Sequence, residues 1–153
     1  RMHYRLSDVA AVAGLAHGAA RVMRHRGQLG IARYAHRLSL TDACVVVLAG
    51  RLTNLLGMPA AAAARIASQA RAIIADVAGR WDRGGDDDTF LVFFTLPGGI
   101  WCEPAHGRME YYALLDAMTA QSEHEPRVSL NLSNLVMTTA GVLKKKEKHE
   151  HAH

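Results

Sequence analysis

Two glycines punctuate the start of this chain and leave room for little but a pair of short helices. In residues 6–27, LSDVAAVAGLAHGAARVMRHRG, the apolar residues Leu6, Val9, Val12 and Ala13 recur at helical spacing and stop at Gly14. Glycine takes the left-handed conformation that closes a helix without the Cβ penalty. After a Leu15-Ala16 turn, a second helix is expected from His17 to Arg26, stopped by Gly27. Ser7 is the expected N-cap of the first helix, with Asp8 near its positive end. In the second helix Ala20 and Met23 face inward, and the small Ala20 permits close helix approach. His17, Gly18, Arg21, Arg24 and His25 lie on another side, with Arg26 following, so the exposed surface is basic.

That basic character belongs to the whole first half. Residues 1–81 hold eleven Arg, no Lys and three acids, Asp8, Asp42 and Asp76, for a net +8. Residues 82–153 hold three Arg and four Lys against eleven acids, for a net −4. A biased genome accounts for Arg standing in for Lys, but not for the scarcity of acids. A positive half of this kind suits a polyanion. No apolar run approaches the roughly 18 residues that a membrane helix needs, and no signal-type core follows a charged start. Cys44 and Cys102 are far apart and outside any C-x-x-C pattern, which suits a reducing compartment. These features predict a cytoplasmic, nucleoid-associated protein with no membrane partner.

The remainder divides at one place. Residues 28–38, QLGIARYAHRL, lack helical periodicity and read as a short hairpin or loop carrying Arg33, Tyr34, His36 and Arg37 outward. Ser39 and Asp42 form a capping box for a largely buried helix reaching Leu56, with Gly57 after it. Pro59 in a first turn opens an Ala-rich helix over 59–77. Residues 80–88, RWDRGGDDD, cannot sustain a packed helix and mark the boundary. Beyond it, residues 89–96 and Ile100-Trp101-Cys102 flank Pro97-Gly98-Gly99 as a β-hairpin. Then come an amphipathic helix over 110–121, a half-buried strand over 127–132 and a last helix over 133–143, capped by Ser133, with Leu135, Val136, Thr139 and Val142 inward. The tail, residues 144–153, reads as disordered and polar. The expected fold class is mainly α with a small α+β C-terminal part, divided into units over 4–78 and 89–143.

The order helix–turn–helix, short wing, helix pair resembles the MerR-type winged helix-turn-helix family of bacterial DNA-binding domains. YRLSDVA (4–10) stands where that family has its first helix. AGLAHGAARVMRHRGQL (13–29) resembles its turn and recognition helix, and residues 37–67 resemble the Arg–Leu–x–x–x–x–Asp stretch with the helix pair after the wing. The likeness spans residues 4–78, about half of the chain. It implies a DNA-facing Arg21, with Arg24 and His25 at charged surface positions. Gly18 and Ala19 depart from the family's polar pair, and Val22 replaces a position often aromatic. The wing, with Arg33 and Arg37, is shortened. The family's metal-sensing cysteines have no counterpart, and its long dimerising coiled coil is cut short by residues 80–88.

A recognition helix fits the major groove, where Arg hydrogen-bonds guanine twice, while other cations bind phosphates. Arg21 and Arg24 are assigned to the groove, and His25, Arg33 and Arg37 to phosphates or the wing, with His17, Gly18 and Arg26 completing the surface. Other chemistry is poorly supported. Cys102, Glu103 and His106 lack a second ligand pair, and Pro104 interrupts their spacing. The triple-Asp run 86–88 reads as a solvated turn, Tyr111 and Tyr112 as core and interface. The tail offers a sequence-blind DNA contact or a metal set of His149, His151 and His153, and stands outside the fold argument. The expectation is a non-enzymatic, cofactor-free and metal-free regulator of transcription on double-stranded DNA. It would act as a homodimer through its C-terminal unit on a pseudo-palindromic operator, with any effector or protein partner unspecified. The alternatives are an architectural or phage-type DNA-binding protein, excisionase-like or a packaging subunit, and a protein-binding adaptor on the same scaffold.

Overall fold

In a computed structural model of the chain, residues 3–33, 36–85, 88–96, 98–119, 125–150 and 152 are described. Helix α1 (Leu6–Ala13) ends at Gly14, whose backbone takes φ 67° and whose N–H donates to the Ala11 carbonyl at 3.2 Å. Arg5, not Ser7, is the N-cap, extended and without a side-chain bond. Ser7 therefore lies inside the first turn, because Leu6 is already helical and buries its side chain in the core. Helix α2 (His17–His25) follows. Between it and the next helix, among the described residues, there are turns and one isolated bridge, Tyr4 to Leu38, so the loop alternative holds for 28–33 and 36–38. Tyr34, expected to point outward there, lies outside the described residues.

Helix α3 (Leu40–Leu56) opens with the expected capping box: Asp42 N donates to Ser39 Oγ at 3.1 Å and Ser39 N to Asp42 Oδ2 at 3.2 Å. Residues 43–50 of α3 are all buried, so α3 is the central helix. The Ala-rich stretch is not one helix but two, α4 (Ala60–Gln69) and α5 (Arg71–Asp82), broken at Ala70 with Pro59 outside as N-cap. No local breaker marks the corner. The bend lets Ile66 and Ala67 of α4 and Ile74 and Val77 of α5 enter one core around α3, and packing overrides local propensity. Because α5 continues to Asp82, the boundary narrows to residues 83–88, of which 86 and 87 lie outside the described residues.

Strands β1 (Thr89–Leu96) and β2 (Gly99–His106) form the expected hairpin, with β2 longer than the sequence suggested. Helix α6 (Gly107–Thr119), strand β3 (Glu125–Asn131) and helix α7 (Leu132–Glu150) complete the chain. The antiparallel sheet has the order β2-β1-β3, with Phe93 opposite both Cys102 and Val128 and a bulge between Phe93 and Phe94. Pro104 sits on the edge strand β2, where a missing N–H is tolerated. Helix α6 covers one face, stacking Tyr111 on Phe90 at 4.4 Å and donating from its hydroxyl to Ser129 Oγ at 2.9 Å. On the other face Leu91 and Phe93 join Leu132 and Val136 of α7.

Helix α7 connects the two expected units. It packs on α1, α3 and α5 as well as on β1 and β3, so one hydrophobic core runs through both. Its cap is Asn131, whose Oδ1 accepts from Asn134 N at 2.9 Å. Ser133 instead accepts from Thr89 N at 2.9 Å, tying α7 to β1. The buried stripe is Leu132, Val136, Thr139, Ala140 and Leu143, and Val142, expected inward, is exposed. The expected disordered tail is corrected over 144–150, which prolongs α7. Lys144 lies 4.7 Å from the centre of the Trp81 ring, Lys146 Nζ 3.8 Å from Asp8 Oδ1, and Arg5 Nη1 3.2 Å from Glu150 Oε1. Basic residues in a last turn also suit the negative end of the helix. No helix among the described residues is long and apolar enough to cross a membrane.

Candidate nucleic-acid interface

Helix α2 is held by its neighbours, since so short a helix is marginal alone. Ala20 and Met23 dock it inward. After Arg26, Gly27 takes φ 71°, its N–H donating to the Arg24 carbonyl at 3.0 Å, while Gln28 N donates to Met23 O at 3.1 Å. The turn ahead of α2 is fixed to α3: Asn54 Nδ2 donates to the carbonyls of Ala13 at 3.5 Å and Gly14 at 3.4 Å. Gly50 of α3 lies so close to α1 that a Cβ there would collide with the Ala13 carbonyl. The loop after α2 is anchored by buried Leu29, Ile31 and Leu38. Arg71 secures it, bonding Asp42 Oδ1 at 2.7 Å through Nη1 and the Leu29 carbonyl at 3.4 Å through Nη2.

This framework gathers most of the expected site. Gly18, Arg21, Val22, Arg24, His25, Arg26 and Arg33 line an open hollow of about 630 Å³. A second hollow of about 390 Å³ is lined by Leu6, Ser7, His17, Arg21, Arg24, Arg33 and His36. Arg21, Arg24 and Arg33 border both, so α2 and the loop after it present one surface. Among the described residues, neither hollow is lined by a carboxylate. Among the described residues, Arg21, Arg26, Arg33 and Arg37 enter none of the ion pairs.

Arg37 stands apart from the hollows, donating through Nη1 to the His3 carbonyl at 3.4 Å. Two further lining residues, Ser7 and His36, were not assigned to the site from sequence. The helical wheel of α1 could have placed Ser7, but nothing local to residue 36 showed that the loop folds back. Val22 is 48% exposed between the arginines, and Gly18 faces open space.

The weaker candidates disperse. Cys102 and Glu103 alternate along β2, with Glu103 accepting from Trp101 Nε1 at 3.1 Å, so their side chains leave opposite faces. Burial, then the nearby Glu103 carboxylate, pushes the Cys102 thiol up to about 12, the reverse of an activated nucleophile. His106 Nδ1 lies 3.4 Å from Thr89 Oγ1. Asp88 accepts from Asn131 Nδ2 at 3.1 Å, while Asp86 and Asp87 lie outside the described residues. His151 and His153 lie outside them too. Among the described residues no group of three or more His, Cys, Asp or Glu side chains is placed to hold a metal ion. No protein-family model matches the chain, and no curated protein matches it.

Proposed function

We propose that this chain is a sequence-specific double-stranded DNA-binding regulator of transcription of the MerR-like winged-helix type, without catalytic activity. The observation that carries the reading is the basic surface shared by α2 and Arg33, lined by no carboxylate among the described residues and held on a helical frame. Arg21 and Arg24 are the base readers, able to bond guanine O6 and N7, and exposed Val22 between them suits a thymine methyl. His17, His25, Arg26 and Arg33 bind phosphates, which adds affinity but no sequence reading. Gly18 lets the start of α2 approach the backbone closely. Arg37, bonded to His3, contributes least.

One short helix reads only a few base pairs, so the regulator acts as a homodimer on a pseudo-palindrome. Support for a C-terminal dimer surface comes from Trp101, 51% exposed, and Met109, 88% exposed, with Ile100 and Tyr112 also open to solvent. The test is selection of bound duplexes from a random library, followed by titration of Arg24→Ala on the selected site. An affinity loss of about 1–3 kcal/mol is expected, with relaxed preference at one base position. Unchanged affinity and preference would remove α2 from the recognition role.

A further inference from the structure

Three segments meet in the second hollow, and two of its residues are left unused by the fold. Ser7 stands in the first turn of α1, where Arg5 is the N-cap, and His36 stands in the loop after α2. The Tyr4–Leu38 bridge brings them together. Tyr4 N donates to the Leu38 carbonyl at 2.8 Å and Leu38 N to the Tyr4 carbonyl at 2.7 Å, so the two stretches pass each other antiparallel. Both side chains are exposed. Among the described residues, neither the Ser7 hydroxyl nor the His36 ring enters a side-chain hydrogen bond or an ion pair. They line the hollow with His17, Arg21, Arg24 and Arg33, beside the buried Leu6. Asp8, next to Ser7 in sequence, is not among the lining residues, and its Oδ1 lies 3.8 Å from Lys146 Nζ.

We infer that the second hollow seats one phosphate of the DNA backbone, with the Ser7 hydroxyl and the His36 ring donating to its oxygens beside Arg33, an inference that rests on the function proposed above. Arginine only donates, and hydroxyl and imidazole are able to donate. Such a lining matches a phosphodiester, which only accepts, better than a base edge, which presents donors as well. The placement agrees with the chemistry. When a recognition helix occupies the major groove, the helix before it crosses the backbone. The first turn of α1 is part of this hollow, so the hollow falls at the edge of the groove that α2 reads. Arg21 and Arg24 border both hollows, so a phosphate held here sets the pose of α2 without itself reading sequence.

The experiment compares the full chain with a Ser7→Ala/His36→Asn double variant on the selected site and on a random duplex. Both residues are exposed, so unfolding curves should coincide. The variant should lose about tenfold in affinity on both duplexes, the scale of hydrogen bonds to a charged group, and Ser7→Thr/His36→Arg should restore it. Each backbone phosphate of the selected site is then replaced in turn by a neutral methylphosphonate. For the native chain, one position in each half-site should cost about as much as the double variant and flatten the slope of log K against log salt by about 0.9. At that position the variant should lose little further, and elsewhere both chains should respond alike. Unchanged affinity of the variant, a loss confined to the selected site, or full additivity at every phosphate overturns the inference. An Arg21→Ala/Arg24→Ala variant run alongside separates the two claims. If it loses site preference while the Ser7/His36 variant is silent, only the phosphate seat falls. If the native chain binds neither duplex, the DNA reading falls and takes the seat with it.

Discussion

Helix α2 and strand β1 are similar in length and opposite in use. Of the nine residues of α2, only Ala20 and Met23 are buried, whereas β1 buries Leu91, Val92, Phe93 and Phe94 in succession. A strand loses four consecutive side chains to the interior only when both its faces are covered, here by α6 and α7. A helix that buries so little contributes little to the core, and its cost is tolerated because α1, α3 and the Leu29 loop hold it in place. The contrast assigns β1 to stability and α2 to whatever meets its outer face.

Substitutions can break that contrast or sharpen it. Phe93→Ala should have the largest effect, about 3–5 kcal/mol of stability lost in urea titration, because the cavity opens where the sheet meets α7. A loss below 1 kcal/mol would contradict the stabilising role assigned to β1. Gly50→Ala should cost about 1–3 kcal/mol by driving a methyl into the Ala13 carbonyl. It should weaken DNA binding as well, since the clash lies at the turn that aims α2. Arg21→Ala should lower DNA affinity by about 1–3 kcal/mol and leave stability within about 0.5 kcal/mol. A large stability loss there would contradict the surface role. Ser39→Ala removes half of the capping box at α3 and should cost about 1 kcal/mol, read as a shifted urea midpoint at constant slope.

The two thiols give the gentlest probe of the same contrast. Burial pushes Cys44 and Cys102 to about 12, with Thr139 lowering the Cys44 value slightly and Glu103 raising that of Cys102. Both stay protonated in the folded chain near pH 8, so both should react slowly with thiol reagents until the chain opens. Cys102, on an edge strand and partly exposed, should label through local opening; Cys44, in the middle of α3, should require global unfolding. The sign for stability follows. An unfolded thiol ionises near about pH 8.5, so the contribution of the neutral buried thiols is full below that value and declines as pH rises toward 12. Equal labelling rates would show that the sheet and the helices open together.

Where the sequence predicted structure, it did so through residues with local geometric demands. Gly14 and Gly57 ended helices, Ser39 with Asp42 opened one, and the Phe-, Val- and Thr-rich run over 89–96 formed a strand. Where it failed, distant packing decided. The Ala70 corner has no local breaker, and only docking of α4 and α5 on α3 accounts for it. The order of α7 to Glu150 depends on Asp8 and Arg5, which no window around residue 145 contains. The site divided in the same way. Arg21, Arg24, His25 and Arg26 were legible as one helix face, whereas the convergence of Ser7, Arg33 and His36 upon it needed the fold.

Fluorescence anisotropy of the native chain with duplex DNA, titrated between 50 and 200 mM salt, tests the central claim most directly. With about four cations of the α2 surface on phosphates or bases, log K should fall against log salt with a slope on the order of −3 to −4. The slope should become shallower in an Arg21→Ala/Arg24→Ala variant whose unfolding curve is unchanged. Absence of duplex binding at 50 mM salt, or an affinity indifferent to both salt and those arginines, would contradict the account.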